Sequence, residues 1–277
     1  MIITLSEERG EKLAIEWSGE ITDKTAQDYC DVCNTVFVDH FDLDYMRRKF
    51  EANCYGKSFI IVVYREDKPI ATWGAWRNDL DGRIAFQMCD FATMPSVRKG
   101  GYVLDMLYSL YDELGKHYPN ARIYGFPGKM AHPVNRAAGW VLAEYYLRFY
   151  RGLTDDFLKS MPYISDEYAE NFSFTQRNAA VLTVNGKCYF VLKRRIKNIV
   201  PSGRIFGEVS PKFAERFPRA SRLMPYLYYS LTPGILGSRK TAHVSQYTMG
   251  AAEQVMDIVP PIYRADTNSM DFNGTNY

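Results

Sequence analysis

The first half of the chain switches repeatedly between the period-two pattern of strands and the 3.6-residue pattern of amphipathic helices. Apolar residues recur at helical spacing from about Asp23 to Asp39 and from Gly101 to about Lys116. Strand-like runs stand before, between and after these helices: "KLAIEWSG", "SFIIVVYRED", "KPIATWGAWRND", "RIAFQMCDFATM", "ARIYGF" and "WVLAEYYLRFYRG". Short helices are predicted at "LDYMRRKFEAN" and "PVNRAAG". The order of elements is a meander, a crossover helix, a parallel strand, a helix and a strand. This order predicts an α/β (α+β layered) domain over residues 1–152.

The second half reads as a smaller β-rich domain over residues 153–264, followed by a loose polar tail over 265–277. "AAVLTV" and "KCYFVLKRRI" flank Asn185-Gly186, a strong two-residue hairpin-turn signal. "RIFGEVS" predicts a further strand, "ASRLMPYLYYSL" a helix interrupted by Pro225, and "DIVPPIYRAD" a last short strand.

Composition narrows the class of protein. The 277 residues are 47% hydrophobic and 24% charged, as in an ordinary globular protein, and no apolar run approaches the roughly 18 residues of a membrane span. "MIITLSEERGEKL" lacks the apolar core of a secretory signal. The five cysteines have no disulfide-framework spacing, which favours reduced thiols and a cytoplasmic protein. Cys30 and Cys33 fall on a helix face and read as core thiols, and no second Cys/His pair is spaced for a metal.

Charge is unevenly distributed along the chain. The stretch from Lys187 to Lys240 holds 12 Lys and Arg against two acids, a surplus of ten positive charges. Because the whole chain carries only +2, the remainder carries −8. Tyr and Phe are interleaved with these basic residues, a mixture that suits nucleic acid or another polyanion. A solvated basic face over core aromatics, or charge balance against the acidic first half, explains the same pattern.

A glycine pair stands between the third strand and the second long helix, in "MPSVRKGGYVLDML". Backbone N–H groups at such a turn can approach a phosphate closely, and the helix N-terminus adds a positive dipole end. Arg98 and Lys99 would add charge beside Gly100 and Gly101. A plain helix start fits the same residues, so this stretch alone leaves both readings open.

The surrounding residues resemble two motifs of the GNAT N-acyltransferase superfamily. Pro95 and the run "RKGGYV" resemble the acyl-coenzyme A loop, Gln/Arg-x-x-Gly-x-Gly/Ala: Arg98 and Gly101 match, and Val103 replaces the usual small residue. "IYGFPGKMAHPVNRAAGW" looks like the second motif, with Gly139-Trp140 in place of Gly-Phe. "YMRRKFEANCYGKSFIIVV" looks like the Asn-x-Tyr-Gly lead-in of a subgroup with a "YGFP" strand end. The resemblance covers roughly residues 17–150.

The resemblance implies a GNAT-like mixed sheet flanked by helices and an acyltransferase that uses acetyl-CoA without a metal. The resemblance does not explain the smaller domain, although some members of the superfamily carry a partial second GNAT-like half. Pantetheine would bind the strand backbone near Phe91 and Thr93. The pyrophosphate, held beside Arg98, would lie on the backbone N–H groups of Lys99, Gly100, Gly101, Tyr102 and Val103. A primary amine would attack the thioester directly.

Asp90 is the candidate general base, because it lies on the strand that would face the acyl group and burial raises the pKa of a carboxyl. An exposed Asp capping a turn is the alternative. Strand alternation turns Cys89 to the opposite face and into the core.

The general acid is less well marked. The Tyr that the family places about four residues before its Gly-Phe pair is replaced here by Asn135. His132 is one substitute, and Tyr145 and Tyr146 on the next strand are others. A thiolate also leaves without a dedicated acid.

Three functions remain open from sequence. The first is an acyl-CoA-dependent N-acyltransferase acting on an amine of a small molecule, a nucleotide or DNA, or an amino sugar. The second is a transferase of the same fold that takes an aminoacyl group from tRNA, held by the basic stretch. The third is a non-catalytic binding module that has lost its acid.

Overall fold

The structure is a computed structural model and describes residues 1–37, 41–79, 82–97, 102–127, 131–150, 153–159, 161, 163–166, 169, 179–196, 200–230 and 240–256. The chain forms two compact units. The first contains Met1–Ala143 and takes up the chain again at Val244, and the second extends from Glu144 to His243. The sequence places its boundary at residue 152 and does not predict that the chain returns to the first unit.

The strands in chain order are β1 Ile2–Ser6, β2 Glu11–Trp17, β3 Phe59–Arg65, β4 Lys68–Arg77, β5 Ala85–Thr93, β6 Arg122–Gly125, β7 Val141–Tyr150, β8 Ala179–Val184, β9 Lys187–Ile196, β10 Val200–Val209, β11 Tyr226–Ser230 and β12 Lys240–Thr248. The α-helices are α1 Asp23–Val36, α2 Leu43–Met46, α3 Tyr102–His117, α4 His132–Ala137, α5 Asp155–Lys159 and α6 Pro211–Ala214. A π-helical turn, Arg47–Glu51, continues α2.

The first unit is built on a mixed sheet with strand order β1-β2-β3-β4-β5-β6-β12. Neighbouring strands are antiparallel except β5 and β6, which the crossover helix α3 connects in parallel. The β3–β4 hairpin turns at Glu66 and Asp67, whose φ angles of 50° and 61° are the left-handed values of a tight hairpin turn. The predicted layered domain and mixed sheet flanked by helices are therefore confirmed.

Helices cover both faces of this sheet. Thr22 caps α1 by accepting a 3.2 Å hydrogen bond from the Thr25 amide, and the helix buries Tyr29, Cys30, Val32 and Cys33. On the other face, α3 packs Leu107 and Leu110 into a core with Ile61 and Trp73. The period-two alternation of β3 and β4 is what supplies an apolar surface to each helix layer.

The second unit is a sheet with strand order β7-β11-β10-β9-β8. Its hairpin turns at Asn185 and Gly186, with φ angles of 50° and 77°, as the sequence predicts. The predicted helix in "ASRLMPYLYYSL" is wrong: residues 226–230 form β11, which pairs with β7 and β10. Pro225 cannot continue a helix. The Tyr226 ring packs closely on Gly203, because a Cβ added to Gly203 would lie 2.4 Å from Tyr226 Cε1. The strand predicted over 257–266 and the tail over 265–277 lie outside the described residues.

Candidate functional site

The edge between β5 and β6 opens partway along the sheet. The two strands pair in parallel from Ala85 opposite Arg122 to Met88 opposite Gly125. β6 then ends, whereas β5 continues to Thr93. Among the described residues, this last part of β5 pairs with β4 alone. Strand N–H and C=O groups that no neighbouring strand satisfies are able to bind an extended ligand.

A β-bulge lies at the start of this open part. Thr72 pairs with Ala92 and Gly74 with Cys89, so that Asp90 and Phe91 together oppose a single residue of β4. Asp90 takes a φ of +53°, a left-handed conformation that is uncommon for a residue other than glycine. Such strain is concentrated at functional sites.

The bulge changes which side chains share a face. A Cβ on Gly74 would lie 2.8 Å from Tyr29 Oη and 3.0 Å from Cys89 Sγ, so the Cys89 thiol lies on the α1 side of the sheet. The Asp90 carboxylate accepts a hydrogen bond from the same Tyr29 hydroxyl. The prediction that Cys89 faces away from Asp90 is therefore wrong, because the extra residue places two consecutive side chains on one side. Cys89 is nevertheless buried, as expected of a core thiol.

Asp90 belongs to a buried polar cluster that joins three elements. Its Oδ2 accepts from Tyr29 Oη at 3.1 Å and from Lys49 Nζ at 3.0 Å, and its Oδ1 lies 3.2 Å from the same Nζ. Lys49 Nζ also donates to Tyr45 Oη at 3.2 Å. The side chains of Lys49 and Asp90 are 0% and 6% exposed. The ammonium and the phenol are thus directed at one carboxylate away from bulk water.

The neighbours of Asp90 on α1 are held in their protonated forms. Burial, followed by the charge of Asp90, raises the pKa of Tyr29 well above its usual value. The same two causes raise the pKa of Cys33, and burial raises that of Cys30 to about 12. At neutral pH, Tyr29 is therefore a hydrogen-bond donor to the carboxylate and the two thiols are not thiolates.

The predicted pantetheine residues lie on the opposite face. The Phe91 ring packs against Trp73, with centroids 4.9 Å apart. The Thr93 and Tyr102 hydroxyls are both buried, and neither makes a hydrogen bond of normal geometry to a described residue. Burial raises the pKa of Tyr102, and Thr93 partly opposes this effect. Two buried hydroxyls that no described residue satisfies with a hydrogen bond of normal geometry thus lie at the end of β5 and the start of α3, where a ligand between these elements could bind them.

The remaining predicted residues are placed as follows. Val103 is half-buried in the first turn of α3, and Arg98, Lys99, Gly100 and Gly101 lie outside the described residues. His132 is the first residue of α4 and is half-buried. Tyr145 and Tyr146 lie on β7, and their side chains are outside the described part.

Sequence reasoning missed Lys49. A lysine within "YMRRKF" has the character of a charged surface residue, yet Tyr45, Met46 and Phe50 around it are all buried. The signal was available in this spacing, because Tyr45 and Lys49 are four residues apart and share a helix face. What the pattern does not contain is the carboxylate, which comes from a strand 41 residues later.

The residues of the basic stretch lend less support to a nucleic-acid surface than the sequence suggests. Tyr189 and Phe190 are buried, and the Phe190 ring packs on Phe206 and Phe213. These rings are occupied by the core of the second unit and are not available to stack on bases. Lys187 is paired with Glu208 at 2.6 Å. The structure therefore gives no support to a nucleic-acid surface at these positions.

The described ranges contain no group of three or more His, Cys, Asp or Glu side chains that could hold a metal ion. None of the helices found there is both long and apolar enough to cross a membrane.

Comparison with known proteins identifies the fold. No protein-family model matches the chain, and neither does any curated protein sequence. A GCN5-related N-acetyltransferase from Kribbella flavida matches 88% of this chain and 72% of its own, with a TM-score of 0.53 at 12% identity. An acyl-CoA N-acyltransferase from Pseudomonas aeruginosa matches 48% of this chain and 90% of its own (TM-score 0.41, 10% identity). The ribosomal-protein-S18-alanine N-acetyltransferase from Escherichia coli matches 52% and 86% (TM-score 0.39, 14% identity).

Of these three matches, the Kribbella structure alone has a TM-score above 0.5, and at 12% identity the similarity concerns the fold alone. The resemblance drawn from the sequence is confirmed at this level: the chain has the fold of the GCN5-related N-acetyltransferases.

Proposed function

We propose that this protein is an acyl-CoA-dependent N-acyltransferase that moves an acetyl group from acetyl-CoA to a primary amine. The observation that carries the proposal is the bulged end of β5, where strand backbone is left open beside the buried carboxylate of Asp90. In an N-acyltransferase fold, this places hydrogen-bonding groups for an extended thioester next to a base. Asp90 receives the proton of the attacking ammonium through water, the C–N bond forms, and coenzyme A leaves as its thiol.

The donor is held by residues on both sides of this opening. The backbone of Phe91 and Thr93 binds the pantetheine, and the Thr93 and Tyr102 hydroxyls supply two further polar groups, neither with a hydrogen bond of normal geometry to a described residue. By the resemblance in sequence, the pyrophosphate lies on the N–H groups from Lys99 to Val103.

The general acid is assigned only from the sequence positions of the candidate residues. Asn135 donates a hydrogen bond to Ser245 and carries no proton to give, so it does not act as the acid. His132, Tyr145 and Tyr146 remain the candidates, and the thiolate is a leaving group that can be protonated by water. The acceptor is an amine of a small molecule, an amino sugar or a nucleotide. Five free thiols fit a cytoplasmic protein.

The test is acetyl-CoA binding by calorimetry, followed by thiol release with a panel of amines. Binding and amine-dependent release are expected. Arg98→Ala should weaken acetyl-CoA binding about tenfold, because it removes one charged contact to phosphate. Arg219→Ala is the matched control, since Arg219 is an exposed arginine of the second unit, and it should bind normally.

Other outcomes identify the alternatives. If no coenzyme A thioester binds and a charged tRNA donates instead, the protein is an aminoacyl-tRNA-dependent transferase. If acetyl-CoA binds and no amine releases thiol, the chain is a binding module. A mobility shift with DNA and RNA over a range of salt concentrations tests the polyanion partner, because phosphate contacts weaken steeply as salt rises.

A further inference from the structure

The pair formed by Lys49 and Asp90 is unusual in its burial. Neither side chain exposes more than 6% of its surface, and the ammonium lies 3.0 Å from the carboxylate. Most charged groups elsewhere in the unit, such as the exposed pair Lys57 and Glu20, keep contact with water. Burying two charges is expensive, and an apolar pair of similar size in the same place is often as stable or more so. Stability alone therefore does not account for this pair.

Both partners also lie on irregular backbone. Asp90 is the bulge residue with a φ of +53°, and Lys49 lies in a π-helical turn, Arg47–Glu51. π-Helical turns and left-handed non-glycine residues are both found preferentially at functional sites. Gly74 makes the approach of these elements feasible, because a Cβ there would lie 2.6 Å from Phe50 Cζ. Two independent distortions of the backbone thus meet at one ion pair.

We propose that Lys49 is a positioning residue for the acyl transfer: its ammonium keeps Asp90 ionised and, with Tyr29, fixes the carboxylate at the open end of β5. This inference rests on the proposed N-acyltransferase function. The ammonium of the acceptor gives one proton to the Asp90 carboxylate, the amine nitrogen forms the new C–N bond, and the C–S bond breaks. The nitrogen loses a second proton as the amide forms, and the thiolate that leaves takes up one proton, so charge and protons balance. Lys49 itself keeps its proton throughout.

Within the described part of the chain, the groups that face the carboxylate come from several elements packed around it. They include Tyr29, Cys30 and Cys33 from α1, Tyr45 from α2, Lys49 from the π-helical turn and Cys89 from β5 itself. In this set, Lys49 is the group that brings positive charge. Its removal leaves the carboxylate facing neutral donors in a site with little water, where a carboxyl takes up a proton more readily.

The experiment compares the pH profile of kcat/KM for the wild type, Lys49→Met and Lys49→Arg. Lys49→Met is expected to lower kcat/KM at neutral pH by about 100-fold. It should also move the acid limb of the profile to higher pH by about one unit. Lys49→Arg restores the charge and is expected to return the limb to its wild-type position. Acetyl-CoA binding by calorimetry should be the same in all three, because Lys49 does not contact the donor.

Arg77→Met is the matched control for loss of an ion pair. Arg77 pairs with Asp79 at 2.5 Å and stacks on Phe86, away from the bulge, so its loss should lower the melting temperature without moving the acid limb. If Lys49→Met does not fold, Lys49→Arg and the neutral double variant Lys49→Met/Asp90→Asn carry the test. The double variant should fold and be as slow as Asp90→Asn alone.

The outcomes separate the two proposals. A wild type that binds acetyl-CoA and releases no thiol with any amine overturns both. An active wild type with a Lys49→Met variant within about threefold of it, or with an unmoved acid limb, overturns the role of Lys49 and leaves the proposed function intact. If Lys49→Met does not fold, the role of Lys49 is also overturned when Lys49→Arg moves the acid limb of the profile by about one pH unit.

Discussion

The side chain of Asn135 donates a 2.8 Å hydrogen bond from Nδ2 to Ser245 Oγ, and both residues are buried. The bond joins α4 to β12 across 110 residues of sequence, at the point where the chain returns to the first unit. The position at which the sequence resemblance leads one to expect a tyrosine acid is here a structural link. Its replacement therefore says nothing against catalysis by the rest of the site.

Asn135→Ala is expected to destabilise the fold by about 1–3 kcal/mol, because it leaves the Ser245 hydroxyl buried without its donor. Thermal or urea denaturation measures the change. The double variant Asn135→Ala/Ser245→Ala should lose less than the sum of the two single changes. Full additivity would show that the bond contributes nothing.

Gly74→Ala is expected to disturb the Asp90 cluster from the neighbouring strand. The added Cβ would lie 2.6 Å from Phe50 Cζ and 2.8 Å from Tyr29 Oη, and neither ring can move without displacing α1 or the π-helical turn. We expect a loss of about 1–3 kcal/mol of stability, as for overpacking in a core. Any acyltransferase activity should fall as well. Gly115→Ala is the matched control, because the nearest atom to its Cβ is Met249 Cε at 3.5 Å, an ordinary contact.

A buried carboxylate on α3 should make stability depend on acid pH. Burial raises the pKa of Glu113, but hydrogen bonds from Trp17 and Lys116 outweigh it, so the pKa lies below its ordinary value of 4.5. A lowered folded-state pKa gives stability that is present above the unfolded value and lost as pH falls through the folded one. Glu113→Gln should therefore be less stable than the wild type at pH 7 by about 1–2 kcal/mol.

The difference between Glu113→Gln and the wild type should shrink as the pH is lowered from about 4.5, because the wild-type carboxyl then loses its charge. Urea denaturation at several pH values measures it. Glu8→Gln changes an exposed carboxylate in the same way and should show no such trend. A constant difference for Glu113→Gln down to pH 3 would contradict the assignment.

The cysteines should differ sharply in reactivity. Burial, helped by Asp31, raises the pKa of Cys30 to about 12, and Cys33 is equally buried, whereas Cys54 is exposed. A thiol reagent at neutral pH is expected to label one cysteine quickly in the native protein and five after unfolding. Cys54→Ser should abolish the fast reaction, and Cys30→Ser should retain it. Rapid labelling of Cys30 or Cys33 would contradict their assignment as core thiols.

Features of the fold that depend on residues adjacent in the sequence could be predicted from the sequence. The hairpin turn at Asn185-Gly186 was predicted because few residue types accept left-handed backbone. The helices α1 and α3 were predicted because their buried positions repeat at helical spacing. The predicted helix around Pro225 failed, since the residues after it are held in a strand by β7 and β10, partners far away in sequence.

The features of the candidate site also fall into those that adjacent residues determine and those that the tertiary structure determines. The sequence by itself predicted an acyl-carrier loop and placed Asp90 on the third strand of the meander, because both are stretches of adjacent residues. Only the tertiary structure decided that Asp90 lies in a bulge, that Lys49 meets it across 41 residues, and that Asn135 is held by a returning strand. A bulge is a mismatch of register between two strands, and an ion pair is a distance between two elements. Neither quantity exists until the chain has folded.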